Sequence, residues 1–302
     1  MAKSVLSRYL DPVTLSHVAD RHVEPRGLVL GNLAGAHKSP LAGFAVEFAG
    51  HREYVVGDDP RHLDWRLYFT RDRYFIKQYE METNFVCHLI VDVSASMRFG
   101  TGKQQKLDYA LRMASALGFS IIRQNDKVSL STFDNQVRGF IPPSNSKAQI
   151  IRMVDHLEQI KPVEKGDMAQ CLTELVGRML RREIVMIFSD FFTDLEQLEN
   201  ALQLMRFNQH EVVLFHVMHH EELSFEMDGM VKFVGLEEDD EMLTQTEDIR
   251  RGYLKAIHDY REAFNAICQR NRIERVEVDT RRDLTEVLVD YLNQRSRLNR
   301  GR

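Results

Sequence analysis

The stretch HLIVDVSASM, residues 88–97, sets Asp92, Ser94 and Ser96 at alternate positions where an apolar run ends. If the chain curls over a strand end there, one carboxylate and two hydroxyls can converge on a point. Hard oxygen donors without imidazole or thiolate suit Mg²⁺, Mn²⁺ or Ca²⁺ rather than zinc or copper. A single carboxylate leaves such an ion under-neutralised and calls for another acid. Asp190, closing the later apolar run IVMIFSD, is the internal candidate, and a partner's carboxylate is the external one. Asp and Ser side chains also cap helices, so the triplet alone leaves capping and metal binding open. The matching acid at Asp190, with strand and helix patterns alternating between, favours the ion site.

These residues need strands to carry them. Apolar runs at 85–93, 127–133, 183–190, 211–218 and 272–279 predict buried strands, and amphipathic patterns at 106–124, 146–160 and 167–182 predict helices between them. Further helices are expected at 194–207, 250–271 and 283–296. Alternation of this kind predicts an α/β fold with a doubly wound, mostly parallel sheet, in which ligands bind at the carboxyl ends of strands. Asp92 and Asp190 both fall at such ends. Residues 1–84 behave differently, with a helix near 11–22 and a strand at 74–82, and are expected to form an N-terminal flank packed on the main domain at 85–296.

The 302-residue chain is long enough for a sizeable core. A formal charge of −5 gives no global basic footprint, so nucleic acid is not the expected partner. Cys87, Cys171 and Cys268 are widely spaced with no CxxC pair, which predicts reduced, packed thiols. No window resembles a signal peptide or a membrane span, and the expected location is the cytoplasm. Residues 221–248 hold eleven acidic side chains and one lysine, including EEDDE at 237–241, and read as a solvated insertion. The tail RSRLNRGR at 295–302 carries four arginines and reads as a frayed terminus, basic over 297–302.

VDVSASM together with FSD at 188–190 resembles the metal-ion-dependent adhesion site of von Willebrand factor A domains. The upstream segment REYVVGDDPRHLDWRLYFTRDRYFIKQYEMETN, 52–84, resembles von Willebrand A-like proteins associated with MoxR-type AAA+ ATPases, a domain of unknown function. The similarity runs from about Phe44 to Asp190. It implies a sheet of von Willebrand A (Rossmann-like) type, direct ligation of Mg²⁺ by Ser94 and Ser96, and water-mediated contacts from Asp92 and Asp190. It also implies a threonine before a later helix. The matching segment, EKGDMAQCL at 164–172, has Gly166 there and Asp167 beside it. That loss of a hydroxyl leaves either a weak or vestigial site, or one in which Asp167 supplies a carboxylate. Asp167 is equally placed to cap the helix.

The REY/GDD/DW segment, 52–65, mixes both charges with aromatic rings and is expected to be a buried ion-pair cluster pinning the flank. Histidines 210, 216, 219 and 220 read as strand-end and loop residues, not a second metal site. No phosphate loop or GxGxxG pattern is present, so any ATPase activity belongs to another protein. The function expected is a non-enzymatic, metal-dependent adaptor that grips an acidic residue of a protein partner, with a MoxR-type ATPase or its client implied by the resemblance. The alternatives are a Mg²⁺-dependent phosphohydrolase, disfavoured because Ser94 stands where a second acid is needed, and a scaffold whose metal site is vestigial.

Overall fold

The computed structural model describes residues 8–26, 34–38, 47–55, 60, 63–71, 73–80, 82–83, 85–160, 167–180, 182–227, 229–234 and 241–300. Gly166, Gly57, Asp58, Asp59, Arg61 and all of the EEDDE run except Glu241 lie outside them.

Two compact units are formed, residues 1–26 with 86–302, and residues 27–85. In the first, β1 (Val86–Asp92), β2 (Lys127–Phe133), β4 (Ile184–Ser189), β5 (Glu211–Met218) and β8 (Glu274–Asp279) pair in parallel, and β3 (Val137–Ser144) closes one edge antiparallel to β2. The spatial order is β3-β2-β1-β4-β5-β8 in one six-stranded sheet. This is the doubly wound order in which the chain's direction of travel reverses between β1 and β4. The apolar runs become strands because helices cover both faces: β1, β2, β4 and β5 are buried almost throughout.

The helices are α1 (Pro12–Val18), α2 (Lys106–Arg123), α3 (Ala148–Glu158), α4 (Met168–Val176), α5 (Leu195–Phe207), α6 (His220–Ser224), α7 (Thr246–Arg270) and α8 (Leu284–Arg300). Asp11, Asp167 and Asp194 cap α1, α4 and α5, accepting from the Thr14, Gln170 and Gln197 backbone N–H groups at 3.2, 3.0 and 2.9 Å. The three cysteines are free and buried. Within the acidic insertion, β6 (Met230–Val234) and β7 (Glu241–Gln245) pair as an antiparallel hairpin.

Residues 8–26 pack on the α/β unit. The Thr14 hydroxyl meets that of Thr285 at 3.0 Å, and the Arg26 guanidinium pairs with Glu274 at 2.6 Å. Arg295 corrects the picture of a frayed tail. It lies on α8, is completely buried, and donates to the Glu24 carbonyl, Glu211, Glu274 and the Tyr291 hydroxyl.

The second unit pairs Glu47–Glu53 with Phe75–Glu80 and Ala34–Lys38 with Glu82–Thr83, both antiparallel, beside a short helix, Trp65–Arg71. In the described part of the REY/GDD/DW segment, the Asp64 side chain is 13% exposed and meets the His51 imidazole at 2.8 Å. Glu53 pairs with Arg73 at 2.9 Å with both side chains more than half exposed, and Trp65 is 55% exposed. The Glu53–Arg73 pair is solvated, so it contributes little stability.

Candidate functional site

Asp92 is the last residue of β1, and Ser94 and Ser96 follow in a bend and a single 3₁₀ turn, Ala95–Arg98. Asp190 comes directly after β4, the neighbouring strand, so the sequence-predicted acids meet at the switch point between β1 and β4. With Asp134, Thr193 and Asp194 they line a pocket of about 130 Å³. Asp167 is the N-cap of α4 and is not among the residues lining that pocket.

The Asp92 carboxylate is held at both oxygens. Oδ1 accepts from the Ser94 backbone N–H at 2.9 Å, and Oδ2 accepts from the Ser189 hydroxyl at 2.6 Å. Burial, then the charge of Asp190, pushes Asp92 up to about 6. The Ser94 and Ser96 hydroxyl oxygens stand 3.1 Å apart. Adjacent ligands of an octahedral ion at 2.0–2.1 Å are separated by roughly 3 Å, so the spacing of this pair matches two neighbouring ligand positions once the hydrogen bond between them is given up. The donor set is all oxygen, and the carboxylates of Asp92 and Asp190 line the same pocket. The residues therefore fit a hard divalent ion.

Asp190 is shaped by its surroundings. Its Oδ1 accepts from the Phe192 N–H at 3.2 Å, and its Oδ2 receives the Lys106 ammonium at 2.7 Å. Lys106 also bonds Glu222 at 2.8 Å and lies within 5.3 Å of the Phe192 ring centroid and 5.8 Å of that of Phe99. Burial works against its charge, yet Asp190 and Glu222 outweigh that and raise its pKa. Phe191, next to Asp190, has φ of +54°, a left-handed conformation that is costly for an aromatic residue. The Tyr260 hydroxyl braces the turn, accepting from the Thr193 N–H and reaching the Phe191 and Thr193 carbonyls, to one of which its single proton is donated.

Asp134, Lys106 and Glu222 were not expected from the sequence. Asp134 follows β2 as Asp92 ends β1, so the strand-end signal was available for it. Its two oxygens accept from the Arg138 Nε at 2.7 and 2.8 Å, which leaves it neutralised. Lys106 and Glu222 carry no local signal, because their meeting depends on the chain returning through β5.

Histidine chemistry lies elsewhere. His88 bridges the Ser129 hydroxyl at 2.6 Å and Glu183 at 2.8 Å, near the opposite ends of the strands. Serine, histidine and glutamate are the residue types of a hydrolase triad, but all three are buried and none lines the pocket described above. Among the described residues, no group of three His, Cys, Asp or Glu side chains is placed to hold a metal ion.

His216 is not a strand-end residue but sits inside β5, edge-on to Phe191 and Phe264, with neither ring nitrogen hydrogen-bonded. Burial, then the charge of Arg275, holds its imidazole down to about 3. Above pH ~6.5 the ring is neutral in folded and unfolded chains alike. As pH falls from there toward 3, only the unfolded chain gains the proton, so stability is lost. Urea melts at pH 7 and 5 should show this loss, and His216→Phe should reduce it; an unchanged pH dependence would remove His216 as its source.

A doubly wound α/β domain with an oxygen-lined crevice at its switch point is the class this geometry defines. The chain belongs to the family described as "Protein of unknown function DUF58", whose model matches residues 50–263. Uncharacterized proteins of Mycobacterium tuberculosis and Mycobacterium bovis are 25% identical to it over 191 residues, covering 62% of this chain. The chain spans 60% of the length of those relatives. Among solved structures, BatB from Bacteroides thetaiotaomicron aligns with 71% of this chain and 100% of its own, at 14% identity and TM-score 0.45. The SpRpn10 VWA domain aligns with 69% of this chain and 95% of its own, at 13% identity and TM-score 0.35. Among the described residues no helix is long and apolar enough to cross a membrane.

Proposed function

We propose that this protein is a non-enzymatic docking module whose crevice at Asp92, Ser94, Ser96 and Asp190 takes a divalent cation, Mg²⁺ or alternatively Mn²⁺ or Ca²⁺, and through it an acidic residue of a protein partner. The observation that carries this is the 3.1 Å spacing of the two serine hydroxyls in a pocket that the strand-end acids Asp92 and Asp190 also line. A divalent ion bound there supplies an electrophilic ligand position for an incoming carboxylate. The chain's own residues do the rest: Ser94 and Ser96 offer neutral oxygens, Asp92 fixes the Ser94 backbone, and the Phe191 turn presents Asp190. On the resemblance of residues 52–84, the partner is a MoxR-type AAA+ ATPase or its client, in the remodelling or maturation of protein complexes in the cytoplasm.

A ligand that binds only the folded state stabilises it by about 2.7 kcal/mol at a hundredfold excess over Kd. Added Mg²⁺ or Mn²⁺ should therefore raise the melting temperature, and the Ser94→Ala/Ser96→Ala double variant should fold but show no rise. Superimposable melts in millimolar Mg²⁺ and in EDTA would rule out an ion-dependent site. The Lys106–Asp190 ion pair favours a second reading, a scaffold in which the lysine has taken over the ion's role.

A further inference from the structure

We propose that Lys106 is a resident counter-cation of the crevice, competing with the divalent ion for Asp190 and so setting the site's ion affinity. The proposal rests on the ion-site reading above and concerns a residue that reading does not use. Three independent observations support it.

The first is position. Lys106 is the first residue of α2, an 18-residue helix. A cation there opposes the helix macrodipole, which favours negative charge at the N-terminus. Helix formation thus gives no reason for a lysine here. The second is burial: its side chain is only 1% exposed. A buried ammonium is costly unless it is paired and hydrogen-bonded, and its partners are Asp190 at 2.7 Å and Glu222 at 2.8 Å. The third is where those partners lie. Asp190 belongs to the pocket itself, and the Phe192 ring that Lys106 faces also lines it.

Asp190, Lys106 and Glu222 together carry one net negative charge when all are ionised. The ammonium occupies one carboxylate oxygen of Asp190 and cancels its charge. A divalent ion approaching Ser94 and Ser96 therefore meets an acid already satisfied. Glu222 extends the link, because its other carboxylate oxygen accepts from the His219 N–H at 2.9 Å and fixes the start of α6. Whatever draws Glu222 away would leave the lysine wholly to Asp190, while removing the lysine would free Asp190 for the ion.

Two variants of the full chain test this. Lys106→Met leaves both acids uncompensated, and Lys106→Met/Glu222→Gln also removes one acid, restoring the original net charge while freeing Asp190. Calorimetric titration with Mn²⁺ alone should give at least tenfold tighter binding for both variants than for the wild type. In EDTA the single variant should melt below the wild type, and the deficit should shrink in saturating Mn²⁺. A structural lysine predicts a different pattern: equal ion affinity and the same melting deficit with and without ion, which would overturn the proposal. Loss of binding in both variants would overturn it too, since Lys106 would then be organising the site. Should the single variant fail to fold, the double variant decides. Binding by the variants but not by the wild type would support the proposal while defeating ion dependence in the native protein. Absence of binding in all three proteins would sink the ion-site reading itself, and this inference with it.

Discussion

Arg295→Met is expected to destabilise the protein by about 3 kcal/mol, because breaking a buried ion pair by removing one partner leaves an uncompensated charge. Arg295 is completely buried and joins Glu211 of β5 to Glu274 of β8 while holding the Glu24 carbonyl. Methionine fills much of the volume but takes the guanidinium away from both acids. The figure sits at the lower end of the usual 3–5 kcal/mol because Glu211 and Glu274 keep 18% and 11% exposure, and Glu274 retains Arg26. Urea denaturation at pH 7 measures it. A loss below ~1 kcal/mol, within the range of exposed pairs, would show that water reaches these carboxylates when the guanidinium is gone. Because the same network ties down residues 24–26, the variant should also expose the 8–26 segment to proteolysis.

Arg295 also shows where the sequence was legible and where it was not. Four arginines in eight residues suggest a solvated tail, yet Leu284, Leu288, Tyr291, Leu292 and Arg295 recur at helical spacing along one buried face. Following the period one turn further would have placed Arg295 inside. The parallel strands β1, β2, β4 and β5 were readable because strands covered on both faces become continuous apolar runs. The antiparallel edge strand β3 was not readable, since its segment VRGFIPPS carries a glycine and two prolines and is only partly buried. Asp92, Ser94, Ser96 and Asp190 could be paired from sequence because strand order in a doubly wound sheet brings two strand ends together at its switch point. The Lys106–Glu222 bridge spans 116 residues and depends on how α2 and α6 are placed, which no local pattern encodes.

At the crevice the largest effect is expected from Asp92→Asn, and it should divide stability from ion binding. The amide keeps the shape of the carboxylate and one acceptor oxygen but removes a negative charge that burial and Asp190 both disfavour. In EDTA the variant should therefore melt at or above the wild type. It should also lose most of its ion affinity, by a factor of at least about 100, since each tenfold corresponds to about 1.4 kcal/mol and one of the carboxylates that line the pocket with the serines is neutralised. Asp92→Ala should lose the same affinity but melt lower, because it also leaves the Ser94 N–H and the Ser189 hydroxyl without their partner. A residue kept for packing alone would make both variants less stable with no change in ion response. Gain of stability paired with loss of binding is what a site that holds like charges together for a ligand must show, so an Asp92→Asn protein that is less stable and still binds Mn²⁺ normally would remove the crevice from consideration as an ion site.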